Sequence, residues 1–318
     1  MARRRLSHQQ KRRIRQAQDA VDLNDSNNHH GLVISHRGGE VEVEDAGGAT
    51  IFCHLRANLG AIVSGDRIIY REQDGHPTIV AIQPRDNLLR RQDGFGQTKN
   101  VAANVSQLLI CLAVEPEPNR FLLDQYLLSA EQQHIQALII LNKIDLLEGN
   151  VEDPFRLKAI YESLGYPVLH TSIERQLHID RLQQACVGHV NVISGVSGVG
   201  KSSLTKAILP EIDIPIGAIS EVNREGRHTT RTSRLYHLPM GGDLIDTPGV
   251  RGFNPVIDDG INIAEGFREI RQTAQDCRFS NCRHQREPGC AVLGAVERGA
   301  IDSGRYDSYL KCRDGQQA

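Results

Sequence analysis

The chain has 318 residues, of which 39% are apolar and 24% charged, and its formal net charge is −2. That length and apolar content supply cores for two or three domains. No stretch approaches the roughly 20 apolar residues of a membrane span, and no apolar segment of a secretory signal follows the first arginines, so a cytoplasmic protein with no membrane partner is expected.

Taken in chain order, residues 1–20 hold Arg3, Arg4, Arg5, Lys11, Arg12, Arg13 and Arg15 against one acid, Asp19. With the polar linker VDLNDSNNHH they form a basic flexible arm, 1–30, ahead of a net acidic body. Such an arm either grips nucleic acid through phosphate contacts or simply solubilises the chain. Between Gly31 and Arg85 the runs GLVISH, EVEVED, ATIFCHL, DRIIYRE and TIVAIQ alternate with Gly-, Asp- and Asn-containing turns. Five short strands at this spacing predict a small closed barrel of the OB type at 31–85, a fold that often binds nucleic acid; an SH3-like barrel used for packing is the other reading. Residues 86–106 read as a connector carrying Arg90, Arg91 and Lys99.

From Gln107 the pattern changes to strands alternating with helices: QLLICLAV, FLLDQYLLSAEQQH, QALIILNK, DPFRLKAIYESLG, PVLHTS, RLQQAC and HVNVISG. This predicts a mostly parallel, doubly wound sheet over 86–252. NKID at 142–145 ends the second of these strands. An aspartate there accepts from guanine N1–H and the N2 amine, a pattern adenine does not offer; Asn142 would brace the loop, and the Lys143 stem would cover the base. TSI at 171–173, also at a strand end, is a candidate to offer a backbone amide to guanine O6.

GVSGVGKSS at 195–203 fits the phosphate-loop pattern G-x-x-x-x-G-K-S between a strand and the helix SSLTKAIL. Its glycines let backbone N–H groups converge on phosphate beside a helix N-terminus. Lys201 would neutralise the β- and γ-phosphates and Ser202 would bind Mg²⁺. NREGRHTTRTSR at 223–234 lies where a first switch belongs, with Thr229 or Thr230 completing the Mg²⁺ shell. Its four arginines suit RNA contact or a solvated loop. DTPG at 246–249 closes the strand GDLID, placing Asp246 near Mg²⁺ and the Gly249 amide near the γ-phosphate. The next residue, Val250, cannot orient water as a glutamine would, so slow intrinsic hydrolysis is expected, with His228 the candidate to orient water or shuttle a proton.

The guanine motif precedes the phosphate loop, the reverse of the usual GTPase order, so the second switch leads straight into residues 253–318. A nucleotide-driven change at 246–249 would pull directly on that segment. The segment reads as helical at INIAEGFREIRQTAQ, then presents Cys277, Cys282, His284 and Cys290 as Cys-x4-Cys-x-His-x5-Cys. Three thiolates and an imidazole suit one closed, structural, tetrahedral Zn²⁺ per chain. Arg278, Arg283 and Arg286 around it suit RNA. The other cysteines, Cys53, Cys111, Cys186 and Cys312, are scattered and suggest no disulfide scaffold.

The motif order, the barrel in front and the cysteine–histidine cluster behind resemble the circularly permuted ribosome-assembly GTPases of the RsgA (YjeQ) type. The resemblance covers residues 31–300 and implies a multidomain α/β protein: an OB barrel (31–85), a circularly permuted P-loop GTPase domain (86–252) and a C-terminal α-helical zinc domain (253–318). It implies that Asn142, Lys143, Ile144, Asp145, Gly195, Val196, Ser197, Gly198, Val199, Gly200, Lys201, Ser202 and Ser203 bind GTP, that Ser202, Thr230 and Asp246 hold Mg²⁺, and that Cys277, Cys282, His284 and Cys290 hold zinc. The implied partners are GTP and GDP, the small (30S) ribosomal subunit and its 16S rRNA; the implied role is that of a monomer in late 30S maturation, with hydrolysis stimulated by the subunit. One departure is His54-Leu55-Arg56-Ala57, where the family usually has an Arg-Gly pair. Two other readings are an RNA-binding assembly factor that uses GTP only as a switch, with negligible turnover, and a P-loop kinase or ATPase, against which NKID argues.

Overall fold

The computed structural model describes residues 25, 27–37, 39–56, 59–92, 96–147, 153–210, 233–247, 254–256 and 262–315. Its first unit is built from β1 (His29–Arg37), β2 (Glu40–Asp45), β3 (Thr50–Leu55), β4 (Arg67–Gln73) and β5 (His76–Ile82). The strands follow the order β1-β2-β3-β5-β4, and β4 pairs back onto β1, so the sheet closes into a five-stranded barrel. Period-two alternation drives this: Val41 and Val43 are buried with Val33, Cys53, Ile68 and Ile79, while Glu40, Glu42 and Glu44 point outward. The β4–β5 hairpin turns on Asp74-Gly75, both at positive φ (52° and 79°), as a two-residue hairpin turn requires.

Residues expected to be a plain connector instead form a hairpin, β6 (Leu88–Gln92) with β7 (Thr98–Ala103), joined by β14 (Asn254–Pro255). Leu89, Val101, Ala102 and Ala103 supply a buried face that makes strands of this segment despite Arg90, Arg91 and Lys99.

The sheet that follows contains β8 (Gln107–Ala113), β9 (Gln136–Asn142), β10 (Val168–His170), β11 (Val190–Ser194), β12 (Arg234–His237) and β13 (Asp243–Asp246). Its order is β10-β9-β8-β11-β13-β12, with every neighbouring pair parallel except β12–β13. The helices are α1 (Arg120–Gln132), α2 (Asp153–Ser163), α3 (Ile179–Cys186) and α4 (Lys201–Ile208). Both faces are covered: Leu108, Ile110 and Leu112 of β8 pack with Tyr126 and Leu127 of α1, while the alternate residues Leu109, Cys111 and Ala113 pack with Leu182 of α3 and Leu204 of α4.

The barrel is keyed to this sheet at β12, where Ser35 of β1 opposes Arg234. The Arg234 guanidinium grips the Glu42 carboxylate at 2.5 and 2.7 Å, and Ser35 Oγ donates to the same carboxylate at 2.7 Å. His237 lies between Glu44 of the barrel (2.9 Å) and Asp243 of β13 (2.6 Å). The carboxylates outweigh the burial that would depress its pKa, and its net shift is upward.

The single helical run expected at 261–275 is broken in two, a 3₁₀ turn at Ile263–Gly266 and α5 (Arg268–Ala274). The turn crosses α1 so closely that a Cβ on Gly266 would lie 2.1 Å from Leu128 Cδ1. Two further helices, α6 (Ala291–Glu297) and α7 (Ser303–Arg313), complete a core in which Phe267, Ile270, Val292 and Tyr309 surround Leu128 of α1. Beneath it Arg305, 1% exposed, binds Asp124 of α1 at 2.6 Å and Glu269 of α5 at 2.7 Å. No helix among the described residues is long and apolar enough to cross a membrane.

Candidate nucleotide site and metal centre

Parallel strands bring the ends of β9, β10, β11 and β13 to one edge of the sheet, where open α/β sheets bind ligands. There the guanine motif and the phosphate loop touch. Asn142, 2% exposed, donates from Nδ2 to the Val199 carbonyl at 3.0 Å and accepts at Oδ1 from Thr171 Oγ1 at 3.0 Å. One side chain therefore ties the phosphate loop, the end of β9 and the segment after β10 together. Two glycines make the approach feasible. Gly200 (φ 94°) would place a Cβ 2.3 Å from Asn142 Nδ2, and Gly195 (φ 142°) would place one 2.2 Å from the Cys111 carbonyl oxygen.

Lys143 adopts a left-handed conformation (φ 59°), and its Nζ donates to the Glu115 carbonyl at 2.9 Å, drawing its stem across the mouth of the site. The Asp145 carboxylate accepts from Ser172 Oγ, which itself accepts the Arg175 amide at 3.1 Å. Ile144 and Asp145 begin the 3₁₀ turn at Ile144–Leu146. Lys201 opens α4 and lays its Nζ on the Val196 carbonyl at 2.5 Å, across the loop that also contains Ser197 and Gly198; Ser202 and Ser203 stand in the first helical turn. Beneath Gly195, burial pushes the Cys111 thiol up to about 12, although Lys201 opposes it, so the floor of the loop is uncharged. Asp246 closes β13, whose Ile245 is in register with Val192 of β11. His228, Thr229, Thr230, Gly249 and Val250, like the basic arm at 1–20, lie outside the described residues.

The sequence pointed to TSI only for a backbone amide. In the structure Thr171 and Ser172 also act through their hydroxyls, which aim Asn142 and Asp145. The signal was a pair of hydroxyl residues at a strand end. Glu115 was not foreseen at all, because a backbone acceptor leaves no mark on residue type.

The four residues of the metal motif converge, with all ligand atoms within 4.8 Å of one another. Cys277 Sγ lies 3.9 Å from Cys290 Sγ, and His284 Nδ1 lies 3.6 and 3.5 Å from those sulfurs. A tetrahedral metal with bonds of about 2.3 Å to sulfur and about 2.0 Å to nitrogen spaces its ligands by roughly 3.8 Å and 3.5 Å, so the donor set fits zinc with no open position. Burial, together with Cys290 and Cys277, pushes the Cys282 thiol up to about 12, although the His284 amide donates to it. Burial also lowers the His284 pKa, which keeps the imidazole neutral as a ligand must be. Cys290 caps α6 by accepting the Leu293 amide at 3.4 Å.

Residues 82–255 match the family model described as RsgA GTPase. Among curated proteins, the chain is similar to the small ribosomal subunit biogenesis GTPase RsgA of Saccharophagus degradans, 43% identical over 98% of this chain and 96% of that one. It is also similar to the protein of that name from Pseudomonas aeruginosa, 48% identical over 88% of this chain and 83% of that one. Among solved structures, YjeQ from Thermotoga maritima is 33% identical and superposes with a TM-score of 0.72 over 90% of this chain and 97% of that one. YloQ, described as a circularly permuted GTPase, is 28% identical, with a TM-score of 0.69 over 92% and 96%.

Proposed function

Because the chain belongs to the RsgA GTPase family, we propose that it hydrolyses GTP to GDP and phosphate and assists biogenesis of the small ribosomal subunit. The observation that carries this reading is the bond from Asn142 Nδ2 to the Val199 carbonyl, which makes one site of the base-reading and phosphate-binding loops although the chain visits them in reversed order.

In that site Asp145, aimed by Ser172, reads guanine, and the Lys143 stem covers the base. Backbone amides of 195–203 cradle the phosphates, and Lys201 exchanges the Val196 carbonyl for the β- and γ-phosphates. Ser202, Thr230 and Asp246 hold Mg²⁺, which neutralises charge on the phosphates when bound. Water attacks the γ-phosphorus in line, the bond to the β–γ bridging oxygen breaks, and GDP leaves; His228 orients that water. With Val250 in place of a water-orienting glutamine, turnover is slow until the subunit supplies or orders the missing group. Cys277, Cys282, His284 and Cys290 hold one structural zinc.

The finer reading is a cytoplasmic monomer acting late in 30S maturation. It contacts 16S rRNA through the barrel (31–85), the switch region of the GTPase domain (86–252) and the zinc domain (253–318). Arg278, Arg283 and Arg286 beside the metal loop and the basic residues of 1–20 favour such contacts. Measuring phosphate release with and without purified small subunits tests the proposal. Stimulation by small but not large subunits is expected. GTP-dependent co-sedimentation without turnover would favour a pure switch instead, and binding to neither subunit would end the ribosomal reading.

A further inference from the structure

The turn that carries the third metal ligand, between Cys282 and Cys290, is organised around a carboxylate that takes no part in the metal cluster. Glu287 accepts the Arg283 amide at 2.9 Å on one oxygen, and the Gln285 and Arg286 amides at 2.9 and 3.0 Å on the other. The fourth amide of this run, that of His284, donates to the Cys282 sulfur. Four consecutive N–H groups are thus divided between two acceptors, three to the Glu287 carboxylate and one to the sulfur of a metal ligand. His284 itself holds a left-handed backbone (φ 55°), a conformation a non-glycine residue keeps only where its surroundings impose it. The carbonyl side of the turn is gripped from α7, where Tyr306 donates to the His284 carbonyl at 2.5 Å and Arg313 to the Arg283 carbonyl at 3.0 Å.

From this arrangement we infer that Glu287 is the positioning residue of the metal loop. Its carboxylate gathers the amides of 283, 285 and 286 and so fixes the turn that delivers both the ring and the amide of His284 to the cluster. Glu287 is not a fifth ligand, because its oxygens are spent on backbone amides, and the four clustered donors already complete a tetrahedron. Partners that orient metal ligands in this way change metal affinity when removed, commonly by about 10–100-fold.

The inference rests on the zinc reading, and one experiment separates the two. The full-length chain and its Glu287→Ala and Glu287→Gln variants are stripped with a chelator. They are then titrated with Zn²⁺ against a competing chromogenic chelator, and with Co²⁺ to record the ligand-field and thiolate charge-transfer bands. The parent is expected to bind one zinc tightly and to give a tetrahedral three-sulfur, one-nitrogen cobalt spectrum; a parent that binds no zinc overturns the metal site itself. Both variants are expected to weaken zinc at least about tenfold and to show shifted cobalt bands as the imidazole leaves its place. If Glu287→Ala fails to fold, Glu287→Gln, which keeps the shape of the side chain, carries the measurement. Zinc affinity within twofold of the parent and an unchanged cobalt spectrum in the folded variant would overturn the role of Glu287 while leaving zinc in place.

Discussion

Replacing Arg305 by methionine removes a cation from one of the driest places in the molecule. The guanidinium binds Asp124 Oδ1 at 2.6 Å and both oxygens of Glu269 at 2.7 and 3.1 Å, and it stacks 4.5 Å from the Phe267 ring centroid. Asp124 has no exposed side-chain surface, and its Oδ1 also accepts from the Tyr161 hydroxyl at 2.6 Å. Burial drives the Asp124 pKa upward, and Arg305 is the main force opposing that rise. Methionine fills the volume but leaves the carboxylate uncompensated, which costs roughly 3–5 kcal/mol. At an m-value of about 3 kcal/mol/M, the urea midpoint of the zinc-loaded full chain, followed by circular dichroism, should fall by about 1 M or more. Adding Asp124→Asn and Glu269→Gln removes the stranded charges and should restore part of the loss, because the main cost of breaking a buried ion pair is the unpaired charge left behind. A loss below about 1 kcal/mol for Arg305→Met, or no recovery in the triple variant, would refute the claim that the pair fastens the C-terminal helices to α1.

Gly200→Ala should abolish guanine-nucleotide binding in a fluorescent-nucleotide titration, since the new methyl group collides with Asn142 and φ is 94°; retained affinity would show that the loop adjusts. Asp145→Asn should move preference from GTP towards XTP in competition binding, and undiminished GTP preference would remove Asp145 from base recognition. The raised His237 pKa gives the clamp between barrel and sheet a pH dependence of known sign. Its contribution is complete below the ordinary histidine value of about 6.5 and fades as pH rises through the higher folded value. Intrinsic hydrogen-exchange-corrected protection of β2 and β12 should therefore decline above that point and become flat in Glu44→Gln; protection that grows with pH would contradict the assignment.

The parts of this fold that residue order makes local were legible. Short runs bounded by Gly-, Asp- and Asn-containing turns marked the barrel strands, and the 195–203 glycines in a strand–loop–helix setting marked the phosphate loop. The closed barrel was expected from five short strands, but the pairings that close it are not local: β4 returns to β1 and β5 reaches β3, contacts no window of sequence contains. The 88–103 hairpin was hidden because Arg90, Arg91 and Lys99 share so short a repeat with Leu89 and Val101. Helix α7 is mostly polar, and its buried residues, Ser308, Tyr309 and Cys312 among them, include Arg305, a type that composition alone assigns to the surface. The metal ligands were legible because their spacing is chemistry-specific, whereas Glu287 looked like one more surface acid.

Helix α1 contributes Tyr126 and Leu127 to the core of the large sheet and Leu128 to the core of the C-terminal helices. The ion pair to α7 spans 181 positions of sequence. At a synthesis rate of about 5–20 residues per second, Asp124 is added to the chain roughly 10–40 s before Arg305. Until then one flank of α1 is bare and its inner carboxylate solvated or protonated, so the large sheet is born unfinished. Its last stone is laid by a part of the chain that sequence order places in another domain.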